Sequence, residues 1–389
     1  MINISSLNKG LVFHSRLASD LQKVDVENIT AQNDRDFSSG TIGNWTVWNS
    51  GGDGTLAYDG VNPNAEKVAK VTIGATVGTF TGALLATTEM TTLVEGRMIY
   101  ITADIYLESG HAFTEVTIAS SSIGVTHVDE VIADLTLVDQ WQRISRTYIM
   151  GSDVSGSFAI IGYTGTTGEV FYFDNVSLKP LLIADLTPYG NHAQNYGVTL
   201  DQADRKGVAN GAGDFNGSSS YFDIPYTSLL QPAKQITVLA WAKSDDWSLI
   251  SDERFIGNTS GGGYVIGGEI SGSTNAWYVR RGGAYGIAVY DVTGLSSGYH
   301  LFVGTYNNQV AELYIDGISV DSDDAGSVQD IQYAVSNSVI IGAEAEVGAG
   351  AISGFFNGKL DEVKIWNRAL SATEVLAEYN SYKSNLVVS

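Results

Sequence analysis

The chain predicts an all-β protein of sandwich architecture with one short helix at its C-terminal end. Three observations lead there. Forty-four glycines and 20 tyrosines in 389 residues supply turn formers and strand-favouring rings. Short runs of alternating apolar and polar residues recur along the chain, the period of strands buried on one face. Helical periodicity is confined to the residues after Ser371. A chain of this length is expected to hold two or three domains, each with its own core.

The C-terminal stretch is the most legible. Leu360, Glu362, Lys364 and Trp366 alternate with Asp361, Val363 and Ile365, which predicts a strand and places adjacent Asp361 and Glu362 on opposite faces. Ser371 followed by Glu374 is a capping box, and Leu370 with Val375 forms a hydrophobic staple. Val375, Leu376 and Tyr379 then give a short helix one apolar face.

This stretch resembles the closing signature of LamG-like jelly-roll domains, relatives of the concanavalin A-like lectins and glucanases. The matching residues are Phe356-Asn357-Gly358-Lys359-Leu360-Asp361-Glu362-Val363 and Trp366-Asn367-Arg368-Ala369-Leu370-Ser371. The resemblance extends back through Ala311–Val320, His300–Tyr306, Gln235–Lys243 and Asp214–Ile224 to the early loop around Asp185 and Asn191, covering Leu181 to about Tyr382. Within Ala311–Val320, Asp316-Gly317 has the chemistry of a hairpin turn, since both residues tolerate positive φ. The resemblance implies a concanavalin A-like jelly roll. It implies little about activity, because that fold hosts lectins, adhesins, hydrolases and inert spacers.

Ahead of this lies a different block. After a strand over Gly10–Leu17 come a mixed polar segment from Ala18 to Gln32 and strand-like runs at Lys67–Ile73, Met98–Leu107, Phe113–Ile118, Trp141–Ile149, Phe158–Tyr163 and Glu169–Leu178. The block resembles the β-sandwich carbohydrate-binding modules of families 4 and 9, a second, galactose-binding-like sandwich. The resemblance rests on Asp36-Phe37-Ser38-Ser39-Gly40 with Trp45, on Gln140-Trp141-Gln142-Arg143, and on Phe173-Asp174-Asn175-Val176-Ser177-Leu178. Jelly rolls of the LamG kind open with an apolar Gly-Leu-Val strand. Gly10–Leu17 fills that role and nothing between Ser177 and Asp185 does. Residues 1–20 are therefore read as the first jelly-roll strand, 30–180 as an inserted sandwich and 181–389 as the rest of the jelly roll. Insertion is tolerated where a guest's two ends leave close together; tandem domains with a short N-terminal arm are the alternative.

Composition narrows the partners. A net charge of −22 and a pI of about 4.4 repel polyanions, so nucleic acid is not expected. The absence of cysteine excludes disulfides, thiolate metal sites and cysteine nucleophiles. No apolar run is long enough to span a bilayer, and the N-terminus lacks the basic-then-apolar pattern of an export signal.

Candidate sites fall into three classes. Glycoside hydrolysis needs two carboxylates on one face at a fixed separation. The hydrolase branch of the jelly-roll fold places Glu, Asp and Glu at alternate positions of one strand, a pattern absent here. His127–Glu130 and Asp252-Glu253 read as polar turns, and His14, His111, His127, His192 and His300 form no metal-ligand spacing. No enzyme is expected. For metal, the jelly-roll resemblance implies a structural Ca²⁺ shared by Asp185, Asn191 and Asp361, and the module resemblance another shared by Asp36 and Asp174; carboxylate-rich segments suit this hard cation. The alternative is that Asp361 only hydrogen-bonds a loop. For sugar, flat rings beside polar groups are the natural stacking platforms. Trp277, Arg280 and Tyr285 with Trp247 are the candidates in the jelly roll, and Trp48 and Tyr58 flank the glycine-rich loop of the first sandwich. Core or oligomer packing is the alternative for each. Trp45, Trp141, Trp241 and Trp366 read as core.

Two lectin-like modules without an export signal suit a bacteriophage virion-surface protein, a decoration or fibre component made in the host and freed by lysis. The expected function is non-catalytic binding of host or environmental polysaccharide, with other virion proteins and a second copy as further partners. A purely structural virion role and a secreted bacterial adhesin are the alternatives.

Overall fold

The computed structural model describes residues 7–17, 22–24, 29–61, 67–75, 79–90, 93–163, 165–209, 211–249, 251–258, 261–268, 274–333, 337–345 and 351–383. The chain is nearly all β and divides into two compact units. One comprises Met1–Lys23 with Leu182–Ser389, the other Val24–Leu181. Part of the polar Ala18–Gln32 segment lies outside the described residues.

The first unit is arranged about the closing strand Asn357–Trp366. One flank pairs along Ile236–Lys243. The other pairs with Ala212–Asn216 through its first half and with Leu11–Ser15 through its second. That sheet continues through His300–Tyr306, Val310–Ile315 and Ile318–Asp324, all antiparallel. A second sheet runs Ala284–Asp291, Thr274–Arg281, Tyr264–Gly268, Arg254–Gly257, Val339–Ile341, Tyr221–Ile224 and Ala193–Tyr196. Alternate residues of both sheets meet in one core, with Val238, Ala240, Phe302, Val363 and Ile365 from the first and Phe222, Phe255, Ile266, Trp277 and Ile341 from the second. Burial at about 25 cal/mol per Å² of apolar surface drives their association. The edge strand Ala284–Asp291 is capped: the N–H groups of Ile287 and Val289 donate to the Asp323 and Asp321 carboxylates at 2.9 and 2.8 Å. Side chains thereby satisfy donors that would otherwise invite another strand.

The helix Ala372–Lys383 covers the outer face of the first sheet, where Val375 and Leu370 pack with Leu239, Trp241, Leu301, Val303, Tyr314 and Trp366. The capping box forms as the spacing predicts. Ser371 N–H donates to Glu374 Oε2 at 2.9 Å and Glu374 N–H to Ser371 Oγ at 3.4 Å, while Arg368 grips the same carboxylate. The Asp316-Gly317 hairpin also appears, with φ of 52° and 80°.

The second unit has two facing sheets. One runs Val125–Val131, Trp141–Met150, Met98–Leu107, Val170–Ile183 as far as Pro180, Val68–Thr72 and Thr55–Asp59. The other runs Thr46–Asn49, Phe80–Ala86, Ser157–Tyr163 and Glu115–Ser121. Their core takes Ile99, Ile101, Ala103, Ile105 and Leu107 from a single strand at every second position. His127–Glu130, expected as a turn, is part of the edge strand Val125–Val131, which has one paired neighbour.

Glu374→Ala removes both the capping-box acceptor and the Arg368 partner. It should lower the unfolding free energy by about 1 kcal/mol with an unchanged denaturant slope. An unchanged midpoint would mean that the helix adds nothing to the stability of the sheet it covers.

Candidate functional site

Strand alternation turns one face of the longer sheet of the second unit away from the core, and register aligns what stands on it. Trp141 lies opposite Tyr106, Tyr106 opposite Tyr172, Tyr172 opposite Lys70 and Lys70 opposite Ala57, a straight row across five strands. The rings touch edge to face, 5.6 Å between the Trp141 and Tyr106 centroids and 6.1 Å between Tyr106 and Tyr172. Lys70 lies 5.6 Å over the Tyr172 ring. Tyr172 is covered by these neighbours and its hydroxyl donates to Glu108 at 2.9 Å, whereas Trp141 and Tyr106 remain half-exposed. Burial, then the Asp139 and Glu108 charges, push the Tyr106 phenol up, so it stays neutral.

A polar row runs beside the rings. Arg143 makes a two-pronged bond to Asp104, at 2.7 and 2.8 Å. A bulge between Asp174 and Ser177, with Asn175 at φ 49°, adds a residue to the facing strand, and Asn175 Nδ2 donates to Asp104 at 3.0 Å. Hydrogen-bonding groups are thus fixed next to flat rings. Trp141, expected in the core, is on this outer face, because the inward positions of its strand are Ile144, Tyr148 and Met150.

The aromatics selected from sequence fare unevenly. Trp277 is fully buried and donates to Thr305 O at 2.9 Å, which makes it a core residue and not a stacking platform. Trp247 is likewise buried, donating to Ser296 O at 2.7 Å. The outward positions beside Trp277 bring Arg280 and Tyr285 together, directly opposite in register with the guanidinium 5.0 Å from the ring centroid. Tyr278 stands edge-on to Tyr285 at 6.1 Å. Tyr58 packs inward against the core of the second unit. Trp48 is half-buried and tilts on Phe80 at 4.5 Å, with Tyr163 beyond. Nothing in the sequence at Tyr106 or Tyr172 marks them singly; the signal was an aromatic at the outward phase of two strands, readable only with the register known.

The calcium ligands expected in the first unit are occupied by protein donors. Asp185 Oδ1 accepts from the N–H groups of His14 and Thr187, and its Oδ2 from the Thr187 hydroxyl and Asn191 N–H. Asn191 Nδ2 donates to Val12 O at 2.8 Å. Asp361 is paired with the Arg205 guanidinium. The expectation that Asp361 and Glu362 face opposite ways is overturned by a bulge: Glu362 has φ 49° and the register slips there, so both carboxylates reach Arg205, Glu362 at 3.5 Å. Glu362 Oε2 also holds His14 Nε2 at 2.7 Å. Although burial opposes it, His14, Lys364 and Arg205 pull Glu362 down to about 2; burial, against Arg205, pushes Asp361 up to about 7. A guanidinium in this position stands where a shared cation would be held. Asp36 accepts from Gln32 and Ser38 within its own turn, and Asp174 lies opposite Asp104. Among the described residues no three His, Asp or Glu side chains converge to hold a metal. The Asp185, Asn191 and Asp361 set, with the Arg205 guanidinium on Asp361, does not fit Ca²⁺.

A polar cleft of about 250 Å³ opens in the first unit between Asp214, Lys243, Asp245, Glu253 and Lys359. Glu253, whose carboxylate accepts Asn357 N–H at 3.1 Å, is pushed by burial up to about 7.

Residues 216–376 match the family model of the concanavalin A-like lectin/glucanases superfamily. The match lies within the first unit. No curated protein sequence matches the chain. Among solved structures, the chain is similar to the receptor-binding domain of botulinum neurotoxin mosaic serotype C/D, with a TM-score of 0.41 and 13% identity over 51% of this chain and 48% of that one. It is also similar to the binding domain of Paraclostridial mosquitocidal protein 1, with a TM-score of 0.40 and 18% identity over 51% and 49%. A third is the botulinum neurotoxin serotype D ligand-binding domain in complex with N-acetylneuraminic acid, with a TM-score of 0.39 and 13% identity over 51% and 48%. The similarity spans about half the length of each of these structures.

Because protein donors already satisfy Asp185 and Asp361, exhaustive chelation should leave the melting temperature unchanged; a fall of several degrees would return calcium to these loops. Glu253 makes a separate prediction. Its native pKa lies above its unfolded value, so the native state holds the proton more tightly and stability falls as pH rises through about 7. Glu253→Gln should flatten that part of the pH–stability curve, and an unaltered curve would show the carboxyl to be solvated.

Proposed function

We propose that this protein binds polysaccharide without cleaving its glycosidic bonds, and that the outer sheet face of the second unit is the binding surface. The observation that carries the reading is the register-aligned row of Trp141, Tyr106, Tyr172 and Lys70 beside the fixed polar row of Arg143, Asp104 and Asn175. Pyranose faces stack on exposed rings, and hydroxyls take fixed donors and acceptors. The resemblance of this unit to carbohydrate-binding modules and the lectin-family match of the other support the same reading. Arg280 with Tyr285 and Tyr278 on the first unit offers a second, smaller platform.

For location, the reading is a virion surface, where a cysteine-free, acidic protein contacts host or environmental glycan. A secreted adhesin is the alternative. A purely structural role is favoured by one feature, the exposed Val128, Val131 and Ile132 at the edge of the second unit, which suit contact with other virion proteins or a second copy.

A polysaccharide binding array separates these readings. Trp141→Ala and Tyr106→Ala should each weaken binding by roughly 30-fold, the scale of a hot-spot contact of about 2 kcal/mol. Silence of the unmodified protein across a broad array, together with self-association measured by light scattering, would support the structural role and sink the lectin reading.

A further inference from the structure

A group of side chains in the first unit has a geometry that sugar binding does not use. His300 opens the strand His300–Tyr306, and Asp316 heads the hairpin turn that follows the next strand. The turn is held against the strand by Asp316 N–H donating to Leu301 O and by Leu301 N–H donating to Asp316 Oδ1, at 2.9 and 3.0 Å. The other carboxylate oxygen, Oδ2, lies 2.7 Å from His300 Nδ1. An ionised carboxylate only accepts, so Nδ1 carries a proton, and when the ring holds no second one Nε2 presents its lone pair. Ser296 Oγ lies 3.0 Å from that Nε2 and is its donor. Ser296 is exposed and His300 half-buried.

The surroundings hold this arrangement in place. The Trp247 ring stands edge-on to the imidazole at 5.9 Å, and its indole N–H ties down Ser296 O at 2.7 Å. Ser296 O is also 3.2 Å from Nε2, where it shares the N–H once the ring is protonated. A hydroxyl within reach of a base that is itself oriented by a carboxylate is the arrangement of an activated nucleophile.

We infer that Ser296, His300 and Asp316 form a serine-nucleophile site that hydrolyses exposed acyl esters. The Ser296 Oγ–carbon bond forms as the hydroxyl proton passes to His300 Nε2, and the carbonyl oxygen becomes an alkoxide. The ester C–O bond then breaks, and the departing alcohol takes the proton from Nε2. Water attacks the acyl-serine, gives its proton to His300, and Ser296 leaves and is reprotonated. One ester and one water yield one acid and one alcohol. Ser296 and His300 are the catalytic residues; Asp316 and Trp247 are positioning residues. The site lies in the first unit and does not depend on the sheet face proposed for polysaccharide.

The test is covalent labelling of the full chain with a fluorophosphonate, read by intact mass and peptide mapping, with p-nitrophenyl acetate hydrolysis in parallel. One label on Ser296 is expected, absent in Ser296→Ala. Asp316→Asn should slow labelling by about 100-fold or more while the melting temperature and circular dichroism of both variants stay close to the unmodified protein. No label at Ser296, or ester hydrolysis unchanged in Ser296→Ala, would overturn the inference and leave the three side chains as a clasp between loop and hairpin. Loss of labelling in Asp316→Asn accompanied by unfolding would be resolved by His300→Gln, which must abolish labelling in a folded protein for the inference to stand.

Discussion

Period-two alternation in half-buried strands is the constraint on which the rest of the molecule depends. Each strand sends successive side chains to opposite faces, so a one-residue change of phase exchanges core for surface. In Met98–Leu107 this rule sends Ile99, Ile101, Ala103, Ile105 and Leu107 into the core and turns Tyr100, Thr102, Asp104 and Tyr106 to the opposite face. In Thr274–Arg281 it sends Trp277 inward and its neighbours Tyr278 and Arg280 outward. Fold and display surface are thus two readings of the same pattern.

Register breaks interrupt the rule at several places, and at two of them polar groups gather. At Glu362 the extra residue turns two adjacent carboxylates toward one guanidinium, and Lys364 and, from the first strand, His14 complete a buried polar group around the closing strand. Taking such ions out of water costs several kcal/mol each unless every one is paired and hydrogen-bonded. Here His14 holds Glu362, Arg205 holds Asp361, and Lys364 holds Glu378 at 2.9 Å. The group thereby links the first strand, Leu11–Ser15, to the closing strand in addition to their backbone ladder. At Asn175 the second bulge widens the polar row beside the aromatic rings.

Local chemistry was legible in the sequence wherever it acts over a few residues. The closing strand, the Ser371–Glu374 capping box and the Asp316-Gly317 turn depend on neighbours, and the structure has them in place. The all-β class was equally plain. Side-chain destinations were less so. Trp277 and Trp247 sit near polar and glycine-rich text but point into the core, while Trp141 sits in a strand motif and points out. The phase of a strand is settled by what it packs on, far away in sequence. The Asp361–Glu362 pair misled for a related reason, since a bulge requires a partner strand before it can exist. The row across Trp141, Tyr106 and Tyr172 joins residues dozens of positions apart, and only register reveals it.

Hydroxyl-radical footprinting with and without a bound polysaccharide locates the binding face, because it reports solvent access of individual side chains. Trp141 and Tyr106 are expected to lose reactivity on binding while Trp48, on the other sheet of the same unit, does not. Unchanged reactivity at Trp141 and Tyr106, with protection confined to Tyr278 and Tyr285 of the first unit, would contradict that expectation.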